Sequence, residues 1–270
     1  DTPSSRGLGD VYKRQVQRFM TLRVEWKNGV QNLPEKATVL IAFPGVGNMG
    51  KVAVDSICTL EDSLEIARLH PVGLPPHAEL DEDGLLAPPH LSLSVVRTGG
   101  EEPLLTLTGK AQPNDPALQS NLARELMAFF EQHGTTTVLV LAGMIDKPEI
   151  KETFAVASSA SFRIDMETMG VDVRRDEPRS GAIGVAALLA SMGPLYGINS
   201  ACIIGTTVGS SGDILGSQRL IEHLERWFGF GLTVPTNGSE WLRERLEARA
   251  PTVKSDLVKE MTASHDAFYM

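Results

Sequence analysis

The chain is poor in cysteine, in aromatic residues and in clustered positive charge, and each shortage removes a class of protein. Only 2 cysteines occur in 270 residues, Cys58 and Cys202, each inside an apolar segment. Two such thiols cannot build a disulfide framework, and free core thiols are the default in a reducing cytosol. There are 25 Lys and Arg against 34 Asp and Glu, a net charge of −9 with a pI near 5.2. No run of Lys and Arg forms a basic face, and nucleic-acid binding needs clustered cations to release counterions. The longest apolar stretches, such as residues 137–145, fall short of the ~20 residues that span a bilayer. Nothing at the start is laid out as a secretory signal. The expectation is a cytoplasmic protein without nucleic-acid or membrane partners.

Metal chemistry is equally unsupported. The 6 histidines, at positions 70, 77, 90, 133, 223 and 265, show no His-Glu-x-x-His spacing and no pairing with cysteine. Surface histidines are the default, with His77 and His90 set in one proline-marked region as a shared rim. Asp81-Glu-Asp83 lacks the alternating ligands and distal Glu of a calcium loop, so it reads as a solvated acidic turn. No cofactor and no metal are expected.

What is present is an ordinary globular composition, 42% hydrophobic and 22% charged. A chain of this length buries about three-quarters of its unfolded surface. Residues 22–26 alternate as an edge strand does. Residues 38–43 (TVLIAF) form a continuous apolar run, the pattern of a strand covered on both faces. Helical spacing follows over 49–60, and 63–70 reads as a second strand. A polar, proline-marked excursion spans 71–89, and 91–97 with 104–108 read as a hairpin around Thr98-Gly-Gly100. Asp115 and Pro116 announce a helix that Gly134 ends. Further strands are predicted at 136–141, 153–158 and 201–206, and helices at 161–169, 183–192 and 213–228. In the last of these, Ile214, Leu215, Leu220, Ile221, Leu224, Trp227 and Phe228 are predicted to point inward. Strands alternating with helices imply an α/β fold, a mainly parallel sheet with helices on both faces.

The domain organisation follows from composition. Residues 1–15 (DTPSSRGLGDVYKRQ) lack apolar periodicity and read as a leader that is non-native or disordered; Asp10-Val-Tyr-Lys-Arg-Gln15 resembles a translated transposon end from library preparation. The α/β domain is expected over 16–235, a charged C-terminal helical segment over 236–262, and a flexible tail over 263–270.

Two glycine-rich turns are candidate ligand loops. Gly45-Val-Gly-Asn-Met-Gly50 is a G-x-G-x-x-G between a strand and a helix, so Gly45, Gly47, Asn48 and Gly50 could cradle a pyrophosphate. The acidic residue expected at the end of the second strand is missing, with Leu69-His70-Pro71 there instead, and a tight structural turn is the stronger reading. Gly205-Thr-Thr-Val-Gly-Ser-Ser-Gly212 also joins a strand to a helix. It lacks the P-loop lysine and the nucleophile-elbow pattern, leaving a bare anion cradle at Gly209, Ser210, Ser211 and Gly212 or a plain connection. No nucleophile–base pair accompanies either loop, so no catalytic residue is assigned. A nucleoside- or nucleotide-directed enzyme stays open as the alternative function.

The final triplet, Phe268-Tyr269-Met270, combines an apolar anchor, an amphipathic ring and, if terminal, a carboxylate. A pocket with one lysine captures all three.

These features together resemble a family. Residues 39–53 (VLIAFPGVGNMGKVA) are similar to the opening strand–F-P-G-x-G-x-x-G–helix of the proteasome assembly chaperone family, in its archaeal and bacterial branch. Gly109-Lys-Ala-Gln-Pro113, the strand 139–143 and Gly181-Ala-Ile-Gly184 resemble later segments of that family. The resemblance implies a phosphorylase/hydrolase-like α/β sandwich without catalysis, a homo-oligomer that contacts proteasome α-subunits or the 20S core particle. It also implies docking through a C-terminal hydrophobic–Tyr–any motif, matched position by position by Phe268, Tyr269 and Met270.

Overall fold

The computed structural model describes residues 22–81, 84–100, 102–178, 184–209 and 212–233. Its centre is the strand β2 (Thr38–Ala42), all five residues of which are buried. Among the described residues ten strands form, in chain order: β1 (Arg23–Trp26), β2, β3 (Asp62–His70), β4 (Glu79–Leu80), β5 (Leu86–Ala87), β6 (Leu91–Arg97), β7 (Leu104–Gly109), β8 (Thr137–Ile145), β9 (Thr153–Ala157) and β10 (Asn199–Thr207). Eight of them make one sheet in the order β1-β3-β6-β7-β2-β8-β10-β9, and β4 pairs only with β5.

The four adjacent strands β7, β2, β8 and β10 run parallel, with Thr38 opposite both Leu104 and Thr137, and Asn199 opposite Thr137. Both margins are antiparallel: β1 on β3, β3 on β6 and β6 on β7 at one side, β9 on β10 at the other. Short connections such as the one around Gly99 and Gly100 can only reverse the chain, whereas parallel neighbours need a long crossover. The parallel part of this mixed sheet therefore occupies the middle, where helices supply the crossovers. The excursion over 71–89, predicted as loop, carries the small β4–β5 ladder.

Among the described residues five α-helices cover the sheet: α1 (Met49–Leu60), α2 (Pro116–Gln132), α3 (Ala160–Thr168), α4 (Val185–Met192) and α5 (Ile214–Phe228). Strand side chains alternate between two cores. Val39 and Ile41 of β2 join Leu122, Leu126, Phe129 and Phe130 of α2 and Leu189 of α4. Leu40 and Ala42 join Ala53 and Ile57 of α1 and Leu220, Ile221 and Leu224 of α5 on the other face. Each fully buried leucine or phenylalanine contributes about 1.5–3 kcal/mol relative to exposure. The punctuation is as predicted for α2: Asp115 accepts from the amides of Ala117 at 2.8 Å and Leu118 at 3.0 Å, and Pro116 occupies the first turn. Asp213 caps α5 through the Gly216 amide at 2.7 Å. Leu215 corrects the sequence reading. It is 63% exposed, because at about 3.6 residues per turn it falls on the side of the helix opposite the buried Ser217, Leu220 and Leu224.

Candidate functional site at the carboxyl edge of the sheet

The β2–α1 turn is built from strained and closely packed backbone. Gly47 (φ 61°) and Asn48 (φ 48°) both adopt the left-handed region, open to glycine and tolerated by asparagine. The Asn48 amide donates to the Gly45 carbonyl at 2.9 Å, and the Gly45 amide donates to Asn48 Oδ1 at 3.2 Å, closing the turn on itself. Two of the three motif glycines are occupied by protein contacts. A Cβ on Gly50 would stand 2.2 Å from the Leu141 carbonyl oxygen of β8. A Cβ on Gly47 would stand 3.0 Å from the Thr207 side chain at the end of β10. Only Gly45 has room, its nearest neighbour being the Phe43 carbonyl at 3.8 Å.

The second glycine loop meets the first. The Asp213 amide donates to the Gly47 carbonyl at 3.0 Å, and Ser217 Oγ donates to the Met49 carbonyl at 2.9 Å. Met49 Cε lies where only glycines leave space, 2.4 Å from a Cβ position on Gly205 and 2.6 Å from one on Gly216. Gly209 (φ 85°) donates its amide to Thr207 Oγ1 at 3.2 Å, and Gly212 (φ 77°) turns the chain into α5. Ser210 and Ser211 lie outside the described residues. What these glycines secure is the approach of α1 and α5 to each other and to the sheet.

The topology also separates this turn from dinucleotide folds. There the second strand lies beside the first, so that its terminal carboxylate reaches the ribose. Here β6 and β7 stand between β2 and β3, and His70 ends a strand far from Gly45.

A third segment completes the edge. Gln112 Nε2 donates to the Pro44 carbonyl at 3.0 Å, and its Oε1 lies 4.0 Å from a Cβ position on Gly184. Gln119 Nε2 donates to the Pro113 carbonyl at 2.8 Å, holding the loop before α2. Three segments far apart in the chain thus meet at Pro44, Gln112 and Gly184. Residues 181–183 of the last lie outside the described residues. Around the two glycine loops stand four exposed apolar side chains: Val46, Ile145, Val208 and Leu215. Sequence reasoning missed them as a surface. The available signal was valine and leucine placed where a solvated loop needs none.

The remaining candidate groups are structural. Burial pushes the Cys202 thiol up to about 12 and raises that of Cys58, so neither is poised as a nucleophile. The predicted His77–His90 rim is replaced by a His70–His90 contact, ring centroids 5.8 Å apart, with His77 Nε2 4.0 Å from Glu79. His133, expected at the surface, packs its ring on Phe129 and Trp26, at 4.6 and 5.4 Å. Asp81 Oδ1 accepts from the Leu85 amide at 2.8 Å, as a turn does. Among the described residues no group of three or more His, Cys, Asp or Glu is placed to hold a metal. No helix among them is long and apolar enough to cross a membrane. Phe268, Tyr269 and Met270, with the segment 236–262, lie outside the described residues.

A mixed sheet between two helical layers, with its glycine loops packed on each other, defines an α/β protein whose carboxyl edge is a surface of loops. The sequence matches the PAC2 family over residues 39–253, and the chain belongs to that family. Among solved structures it is similar to Pyrococcus furiosus PbaA, an archaeal homolog of proteasome-assembly chaperone, with 20% identity and a TM-score of 0.67 over 83% of this chain and 94% of that one. It is similar to Pyrococcus furiosus PbaB, an archaeal proteasome activator, with 16% identity and a TM-score of 0.70 over 92% of this chain and 100% of that one. The Mycobacterium tuberculosis proteasome-assembly chaperone homologue Rv2125 aligns at 20% identity and a TM-score of 0.58, over 79% and 96% of the two chains. The uncharacterized protein MJ1210 of Methanocaldococcus jannaschii is 22% identical over 70% of this chain and 72% of its own length.

Proposed function

We propose that this protein is a non-catalytic, proteasome assembly chaperone-like or proteasome-binding protein of the cytoplasm. Its partners are proteasome α-subunits or the 20S core particle, it acts as a homo-oligomer, and it docks through Phe268, Tyr269 and Met270. The observation that carries this reading is the fold shared with PbaA and PbaB across most of the chain. It is supported by the carboxyl edge, where Gly47, the glycine that would approach a pyrophosphate, is packed against Thr207 instead. Phenylalanine followed by tyrosine suits a pocket that is apolar at its base and polar at its mouth.

The test is binding of the purified full chain to 20S core particle and to isolated α-subunits, with and without residues 268–270. Micromolar binding lost on deletion is the expected outcome. Binding unchanged by the deletion overturns the docking element, and no binding in either form overturns the partner.

A further inference from the structure

The margin of the sheet at β1 presents unpaired backbone. In the β1–β3 ladder Arg23 faces His70 and Trp26 faces Ala67, and Lys27 extends it by donating to the Ile66 carbonyl at 2.8 Å. Inward and outward backbone groups alternate along an antiparallel strand. Arg23, Glu25 and Lys27 therefore bond toward β3, while Val24 and Trp26 turn their N–H and C=O groups outward. Among the described residues nothing bonds to that outer edge, and β1 is the last strand of the sheet.

The side chains on this edge are complementary to themselves. Arg23 and Glu25 are exposed on one face. On the other, Leu22 belongs to the core and Val24 and Trp26 pack against it. We propose that β1 pairs antiparallel with β1 of a second copy of this chain, across a twofold axis at Val24. That register lets the two Val24 residues exchange both backbone hydrogen bonds. It sets Arg23 opposite Glu25 of the partner subunit at a non-hydrogen-bonded pair, where cross-strand side chains come closest. Leu22 then faces Trp26 of the partner subunit on the apolar side.

Other registers fail on charge or length. An axis at Arg23 or Glu25 places like charges directly opposite each other. An axis at Trp26 runs into Asn28, whose φ of 53° ends the strand. Charges on an edge strand ordinarily discourage pairing. Opposite charges two residues apart do the reverse when the partner is the same strand turned around. The inference rests on the homo-oligomer part of the proposed function and is independent of proteasome docking.

Native mass spectrometry and light scattering of the full chain at micromolar concentration test it, with circular dichroism and urea melts confirming that each variant folds. The expected wild type is a dimer or an even multiple of one. Arg23→Glu alone weakens assembly about tenfold or more, since two symmetry-related pairs turn repulsive together. Glu25→Arg does the same, although Glu25 also pairs with Lys27 and with His70 Nε2 at 3.2 Å, so Arg23→Glu is the cleaner probe. Combining the two exchanges restores complementarity and brings assembly back to within about threefold of wild type. Val24→Pro removes the outward N–H without touching the β3 ladder and abolishes the dimer. A monomeric wild type overturns the proposal, whether the chain's own residues 1–21 or another protein occupies the edge. So does an assembly indifferent to the single exchanges, or one not rescued by the double exchange. Proteasome binding by the same variants keeps the two readings apart: dimer loss with binding retained leaves the docking reading standing.

Discussion

The side-chain amide of Gln112 donates a 3.0 Å hydrogen bond to the carbonyl of Pro44, 68 positions earlier in the chain. The bond ties the loop after β7 to the turn after β2, and with Gly184 beside it holds three segments of the carboxyl edge in one place. Gln112→Ala leaves the half-buried Pro44 carbonyl without that donor. We expect a loss of about 1 kcal/mol in urea unfolding. Gln112→Glu, which points a carboxylate at a carbonyl, costs more than alanine above neutral pH. Equal stability of all three proteins would show that the bond does not tie the edge together.

Gly50 and Gly45 belong to one motif and predict opposite outcomes. At Gly50 the added Cβ meets the backbone of Leu141, which cannot swing aside, so Gly50→Ala destabilises by about 2 kcal/mol or more or prevents folding. At Gly45 the backbone is extended (φ −167°) and the space is open, so Gly45→Ala stays within about 0.5 kcal/mol of wild type. Thermal and urea melts of the two variants measure the contrast. A dinucleotide-binding loop would instead make Gly45→Ala costly, because there the first glycine makes the tight turn and the second lets the backbone approach the phosphates.

Nucleotides, nucleosides and inorganic phosphate at millimolar concentration should leave the melting temperature unchanged within a degree. Any compound that binds only the native state must raise it. A clear upward shift with one of them, abolished by changing Ser210 or Ser211, would reinstate the enzyme or ligand-binding alternative.

His133 makes stability pH-dependent. Burial against Phe129 and Trp26 lowers its pKa below the usual 6.5, so the folded state holds the neutral ring. Between the lowered folded value and 6.5 the unfolded chain binds more protons, and stability therefore rises with pH. Urea midpoints should climb from pH 5 to pH 7 and level off above. His133→Phe keeps the ring contacts and flattens this limb; an unchanged slope in that variant would assign the dependence to other groups.

Much of the local structure was legible because its causes are local. The run 38–42 is uniformly apolar and is buried throughout. Asp115 and Pro116 start α2 where capping chemistry places them. The edge character of 23–26 is visible in its alternation. Leu215 was misread because its hydrophobic side chain was counted with the inward face, whereas at about 3.6 residues per turn it falls opposite Ser217, Leu220 and Leu224. The candidate site was legible only as two separate glycine loops. Their junction, Asp213 to Gly47 and Ser217 to Met49, depends on which helices share a face of the sheet.

By itself, then, the sequence determined the long elements, the start of α2 and the α/β class, since hydrophobic period and capping are properties of neighbours in the chain. The tertiary structure alone decided the strand order, and with it the fate of the G-x-G-x-x-G. Placing β6 and β7 between β2 and β3 removed the second-strand end from the turn, and placing α1 against Leu141 gave Gly50 its reason. Those outcomes depend on which buried surfaces meet across long stretches of chain, a matter of packing that no local pattern encodes.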